Sequence, residues 1–374
     1  MTRAERGFPV SEYQERLQRV QVMMNAANLG ALFLTTEPEI RYFTGFLTRF
    51  WESPTRPWFL VVPSSGKPVA VIPAIGEHLM SQTWIADIRT WASPHYTDDG
   101  IGLLAETLTE FVGNDGKIGV PSGPETHIRM PHGDLARLNA LLGENRLVPD
   151  ADITRRLRMV KSSEEISRVR TACSIADRAF ARVAEIAKTG EPLDQIFRRF
   201  QALCLDEGAD WVGYLAGAAE SQGYGDVISP ATSKPLQGGD VLMLDTGVVW
   251  DGYFCDFDRN YSIGPASSAV ADAHNRLIDA TQAGFETCRP GQTASYLFHA
   301  MDELLTGGKS GAETGRLGHG LGMQLTEWPS LLPKDQTVLE PGMVLTLEPG
   351  IALEGGKIMV HEENILITAA GAEY

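Results

Sequence analysis

A chain of 374 residues has room for two or three domains, and its 43% hydrophobic and 21% charged residues are an ordinary globular balance. The formal net charge of -16 at pH 7 disfavours nucleic acid and anionic membrane surfaces as partners. No apolar run reaches the roughly 18 residues of a membrane span, and the start, MTRAERGFPVSEYQERLQRVQ, lacks the apolar stretch of a secretory signal. Cys173, Cys204, Cys255 and Cys288 are far apart and form no CxxC, so free thiols in a reducing cytoplasm are expected.

In chain order, residues 10–28 carry apolar side chains at helical spacing and are expected to form an amphipathic helix. ALFLTT (31–36), RYFTGF (41–46), PWFLVVP (57–63), PVAVIPA (68–74) and KIGVPS (117–122) read as strands, with SSGK (64–67) as a hairpin turn. Alternating helices and strands over 10–150 predict a smaller α/β domain at 1–155, followed by a second domain at 156–374. Ser162 and Glu165 fit a capping box that opens a helix over 163–188. Another helix is expected from Leu193 to Asp206, and the Gly-, Ala-, Ser- and Pro-rich stretch 207–235 reads as a loop bordering a site. Strands at 240–249 and 253–262, helices at 266–288 and 293–306, and a strand–turn–strand over 339–368 complete an α+β pattern.

The segment VLMLDTGVVWDGYFCDFDRNYS (241–262) places Asp245, Asp256 and Asp258 inside strands, where aspartate is depleted. In a hairpin turning on Asp251-Gly252, Asp245 faces Asp258 and Gly247 faces Asp256, so all three acids share one sheet face. The face is either solvated or holds a cation, or one acid keeps its proton. The flanking runs VLML and GVVW argue for burial. Downstream, His319 sits among glycines, with Gly320 and Gly322 allowing close backbone approach. Glu348 ends an apolar strand, and Glu362 and Glu363 lie in another. One histidine with four carboxylates is a hard ligand set for Mn(II), Fe(II), Co(II) or Zn(II), and is enough for two ions.

DTGVVWDGYFCDFDR, GHGLG, TLEPG and HEENILIT, in this order, resemble the creatinase/aminopeptidase P/methionine aminopeptidase family. The resemblance implies an α+β pita-bread catalytic domain behind a smaller α/β creatinase-like N-terminal domain, as in the aminopeptidase P, prolidase and creatinase branch. It implies Asp245, Asp256, His319, Glu348 and Glu362 as ligands of two divalent ions (Mn, Co, Fe or Zn). A water bridging those ions would attack an amide carbonyl, with Glu348 carrying the proton to the leaving nitrogen. The implied activity is Xaa-Pro peptidase-like hydrolysis of a C–N bond, in a homodimer. Asp258 has no counterpart in the match, and a β-bulge would reconcile it with the hairpin register. Glu363 stands where the family often has Asp, and Arg259 is either a support for a carboxylate or a surface ion pair.

Two family histidines that handle substrate are missing. Ile228 or a near neighbour fills one slot, and Thr326, before Glu327, fills the other. Tyr224, Asp226 and Thr326 become candidate substrate contacts, and His361 a candidate catalytic group, although strand alternation aims His361 away from the metals. Arg49 and Trp51, with Arg56 and Trp58, lie in TRFWESPTRPW (48–58), which in family dimers can reach a partner's site; a surface loop with packed tryptophans is the alternative. The other six histidines (His78, His95, His127, His132, His274 and His299) read as surface or core. The substrate is thus a short peptide or a small molecule. Alternatives to a peptidase are an enzyme like ectoine hydrolase, creatinase or a dimethylsulfoniopropionate lyase, or a binding protein without catalysis.

Overall fold

The computed structural model describes residues 5–53, 56–310 and 315–374, so Pro54 and Thr55 of the tryptophan loop and residues 1–4 of the start segment lie outside the described residues. The chain divides into two compact units, Glu5–Arg158 and Met159–Tyr374.

The first unit is built on a six-stranded sheet of β1 (Ala31–Leu34), β2 (Phe59–Pro63), β3 (Val69–Pro73), β4 (Asp87–Trp91), β5 (Ile118–Val120) and β6 (Leu147–Pro149), in the order β4-β3-β2-β1-β5-β6. β1 and β2, and β2 and β3, pair antiparallel, while β5 and β6 continue from β1 in parallel, giving a mixed α/β sheet. The expected helix is Val10–Ala26. RYFTGF does not form a strand. Its first four residues lie in the helix Glu37–Thr44, with Pro38 in the first turn and Gly45 closing it at φ +78. Those signals outweigh the β-forming side chains: proline pre-sets the first turn and glycine accepts the left-handed cap. A Cβ on Gly45 would also collide with the Tyr13 hydroxyl.

In the second unit β7 (Trp211–Ser221), β8 (Asp240–Trp250), β9 (Tyr253–Phe254) and β10 (Phe257–Ser262) form one sheet, with β8 central. A second sheet runs β12-β11-β13-β16-β17, from β11 (His319–Gly320), β12 (Glu327–Ser330), β13 (Val344–Leu347), β16 (Glu363–Thr368) and β17 (Gly371–Glu373). β14 (Gly350–Ala352) and β15 (Ile358–Val360) pair separately. Helices Ser163–Ala181 and Leu193–Asp206 bury their apolar faces with the first sheet, and helices Ser268–Thr287 and Ala294–Thr306 theirs with the second. This is the expected α+β pita-bread domain. The capping box at Ser162 and Glu165 is made in both directions.

Two expectations need correcting. Residues 211–221 are a strand rather than loop: the small side chains that suggested a loop let β7 lie tight on β8, where a Cβ on Gly217 would meet Met243 O and one on Gly213 the Phe254 ring. The tail has four short strands rather than two, because Pro349 interrupts one ladder and Gly355 and Gly356, at φ +71 and +74, reverse the chain.

Candidate metal centre

The centre begins with the turn at Asp251-Gly252. Both residues have positive φ, +45 and +70, as a type I′ turn requires. The turn fixes the register: Asp258 pairs with Asp245 and Phe257 with Thr246. Val249 pairs with Phe254 on the other side of Asp256, so the register is unbroken and the bulge invoked for Asp258 is not present.

β8 is buried along its whole length, which takes Asp245 into the interior at 9% exposure. Asp256, Asp258 and Glu362 are likewise buried. Among the described residues, Asp245 Oδ1, Asp256 Oδ1, Asp258 Oδ1 and Glu362 Oε1 have no hydrogen-bond partner. An unmatched buried acceptor costs about 1–3 kcal/mol, and more when charged. Glu348, the residue after β13, is half-buried.

His319 completes the group. A Cβ on Gly320 would strike the Trp328 carbonyl, so glycine lets β12 close on β11 and press the imidazole inward. A Cβ on Gly322 would crowd Glu327 and Lys161. His319 Nδ1 lies 2.8 Å from Gly320 O and carries the proton there, leaving the Nε2 lone pair directed at the acids. Nε2 is 3.6 Å from Asp256 Oδ2 and 3.9 Å from Glu362 Oε1. One ligand atom each from Asp256, His319 and Glu362 falls within 4.8 Å of the others.

Electrostatics separate these groups from ordinary surface acids. Burial holds the His319 pKa down to about 4, helped by the Arg316 cation, so the ring is neutral. Burial pushes Asp245 up to about 8, with Glu348 adding to the rise. Asp256, Asp258 and Glu362 are raised well above the carboxylate range, by burial first and by neighbouring acids second. Burial raises Glu348 too, and Arg316 opposes the rise. The Asp256 and Glu362 carboxylates and a neutral imidazole with a lone pair directed at them are a donor set that fits a divalent ion.

The other expected residues fall elsewhere. Tyr224 is fully buried, donating to Asn260 Oδ1 at 3.1 Å and accepting from Val360 N at 2.7 Å. Its hydroxyl ties β15 to β10, which gives it a structural role. Asp226 is exposed and accepts from Ile228 N, Ser229 N and Ser229 Oγ, organising its own turn. Ile228 is 78% exposed. Thr326 is half-buried and accepts from Arg316 Nη2 at 3.1 Å. His361 Nε2 stands 3.5 Å from Glu363 Oε1, and its ring meets His274 edge-on at 6.1 Å. The imidazole therefore shares the Glu363 side of the strand, not the Glu362 side. Arg49, in the N-terminal unit, pairs with Glu52 at 2.6 Å. Trp51 is 8% exposed, with its ring 5.7 Å from that of Trp58 and under the Arg129 guanidinium.

Arg259 reaches across to β16: it donates to Glu362 O at 2.6 Å and Asp258 O at 3.1 Å, and pairs with Glu363 at 2.8 Å. It thereby supports the ligand-bearing backbone, and Glu363 is occupied by it.

Three residues escaped the sequence reading. Asn364 clamps Asp256, accepting from its N–H at 3.0 Å and donating to its carbonyl; the signal was an amide in a strand, directly after two acids. Tyr214, on the strand read as loop, faces the acids closely enough that burial and their charges hold its phenol protonated. Arg316, three residues before His319, was passed over for the glycines that follow it.

Residues 167–369 match the model of metallopeptidase family M24, and residues 16–160 that of the creatinase/prolidase N-terminal domain. The probable dipeptidase PepE of Mycobacterium tuberculosis is 30% identical, over 98% of this chain and 95% of its own length. The Xaa-Pro dipeptidase of Pyrococcus furiosus is 29% identical over 59% of this chain and 64% of its own. Among solved structures, dipeptidase PepE from Mycobacterium ulcerans superposes with a TM-score of 0.84 at 28% identity, covering 98% of this chain and 96% of that one. The prolidase from Thermococcus sibiricus gives 0.85 at 22% identity, over 98% and 96%, a likeness of fold. The chain belongs to metallopeptidase family M24.

Proposed function

We propose that this chain hydrolyses the amide C–N bond of a dipeptide-sized substrate, using two divalent ions held by Asp245, Asp256, His319, Glu348 and Glu362. The observation that carries this reading is the approach of the buried Asp256 and Glu362 carboxylates, at 3.6 and 3.9 Å, to the Nε2 of a neutral histidine. The names of the relatives, dipeptidase and Xaa-Pro dipeptidase, support the substrate class.

When bound, the ions supply Lewis acidity and bring the pKa of water from about 15.7 towards neutrality. The chain's residues do the rest. Asn364 and Arg259 fix the backbones that carry Asp256 and Glu362. Glu348 is the least buried of the proposed ligands, so it is placed to pass a proton outward to a departing nitrogen. Tyr214 keeps its proton and can donate a hydrogen bond to an oxygen that gains charge. Arg316 sets a permanent positive charge beside Thr326, in the slot of a missing family histidine, and suits a substrate carboxylate. Oxygen-rich ligands accept Mn(II), Fe(II), Co(II) or Zn(II). The proposal includes a cytoplasmic homodimer.

A second reading has its own observation. Thr326 and the exposed Ile228 cannot supply the imidazoles that the resemblance assigns to peptide handling, which favours a small non-peptide amide. The test is to strip the protein with chelator, reload each metal separately, and assay Xaa-Pro and other dipeptides beside small cyclic amides. Metal-restored dipeptide cleavage is expected. Cleavage of a small amide alone selects the second reading, and no metal-dependent hydrolysis of either class contradicts both.

A further inference from the structure

The cage holds one acid more than the family resemblance assigns. Asp258 lies directly across the β8–β10 ladder from Asp245, in unbroken register. It is 2% exposed, and its Oδ1 has no hydrogen-bond partner among the described residues. Like charges opposed across a ladder destabilise it, and burial prevents water from screening them. The adjacent guanidinium does not resolve this: Arg259 donates to the carbonyls of Asp258 and Glu362 and to the Glu363 carboxylate. The Glu362 N–H also points to Asp258 O, at 3.4 Å, so β10 approaches the Glu362 segment at the level of the cage.

We propose that Asp258 is a further metal-binding residue, giving a carboxylate oxygen to an ion held beside Asp245 between β8 and β10. The inference rests on the two-ion reading above. With Asp258 ionised, Asp245, Asp256, Asp258, Glu348 and Glu362 set five negative charges against the four positive charges of two divalent ions. The extra carboxylate tightens binding, and it favours hard ions such as Mn(II) over Zn(II).

The test is calorimetric titration of Mn(II) into chelator-stripped full-length wild type, D258N and D258S, with Mn(II) paramagnetic resonance spectra of each. Asparagine keeps the shape of the acid and its capacity for hydrogen bonds but not its charge. Binding at one of the two sites should weaken about tenfold or more in both variants. The spectrum of that site should change while the circular dichroism stays that of wild type. D258S decides the matter in the same way should D258N not fold. Wild-type affinity and an unchanged spectrum in a folded variant overturn the role of Asp258 and leave the two-ion reading standing. A wild type that binds no Mn(II) removes both.

Discussion

In the N-terminal unit, Arg16 is 1% exposed and faces an opposite charge: it donates to Glu12 at 3.1 Å and to Tyr42 O at 2.8 Å, and lies 4.2 Å from the Tyr42 ring. Arg158 pairs with the buried Glu39 at 3.4 Å, and Arg146 donates to the carbonyls of Gly116 and Gly113. In the catalytic unit, Asp245, Asp256, Asp258 and Glu362 are as deeply buried, yet the charges that act most strongly on each are those of other acids. Two further pairs in that unit follow the first pattern, Lys161 with Glu327 and Arg168 with Asp251, each at 3.0 Å. Burial alone therefore does not mark a site. Buried charge that is already matched holds architecture together, and buried charge of one sign left unmatched calls for a cation.

The comparison breaks most visibly at Asp256. Asp256→Ala should abolish metal retention and lower activity on the order of a thousandfold or more, the scale of losing a principal catalytic element. The metal-free variant should melt no lower than metal-free wild type, since it loses repulsion rather than a bond. Lys161→Met should do the reverse. It strands Glu327, which also accepts from Met323 N and Gln324 N, and should cost about 3–5 kcal/mol in denaturant unfolding. Tyr224→Phe leaves Val360 N without its acceptor and should cost about 1–3 kcal/mol, with KM unchanged. A raised KM with unchanged stability would return Tyr224 to the substrate.

The smallest effect per step is that of pH on metal-free protein. Asp245 is raised from 3.8 to about 8, so the folded state binds more protons than the unfolded state between those values. Its contribution to stability is complete below about pH 4 and is lost as pH rises towards about 8, at up to about 1.4 kcal/mol per pH unit for each proton. Melting temperature in chelator should therefore fall over that window. Bound ions, which replace the protons, should flatten or reverse the trend. A chelated protein that gains stability with rising pH would contradict the unmatched cage.

Much of this was legible in the sequence because its cause is local. The Asp251-Gly252 turn set the register of Asp245 against Asp258, and Ser162 with Glu165 marked the helix start. What escaped depends on contacts made far along the chain. Residues 211–221 form a strand because their small side chains fit β8, a fact about the partner rather than the segment. RYFTGF looks extended until Pro38 and Gly45 are weighed as helix ends. Tyr224 looked available because its partners, Asn260 and Val360, lie 36 and 136 residues away. Asn364 grips Asp256 across 108 residues, which no spacing rule anticipates.

The central claim is tested most directly by counting metal in gently purified protein by elemental mass spectrometry, before and after reloading stripped protein with Mn(II), Co(II), Fe(II) or Zn(II). About two ions per chain are predicted, falling sharply in Asp256→Ala. Protein that holds no divalent ion under any loading condition would contradict the account, and the buried acids would then need another partner.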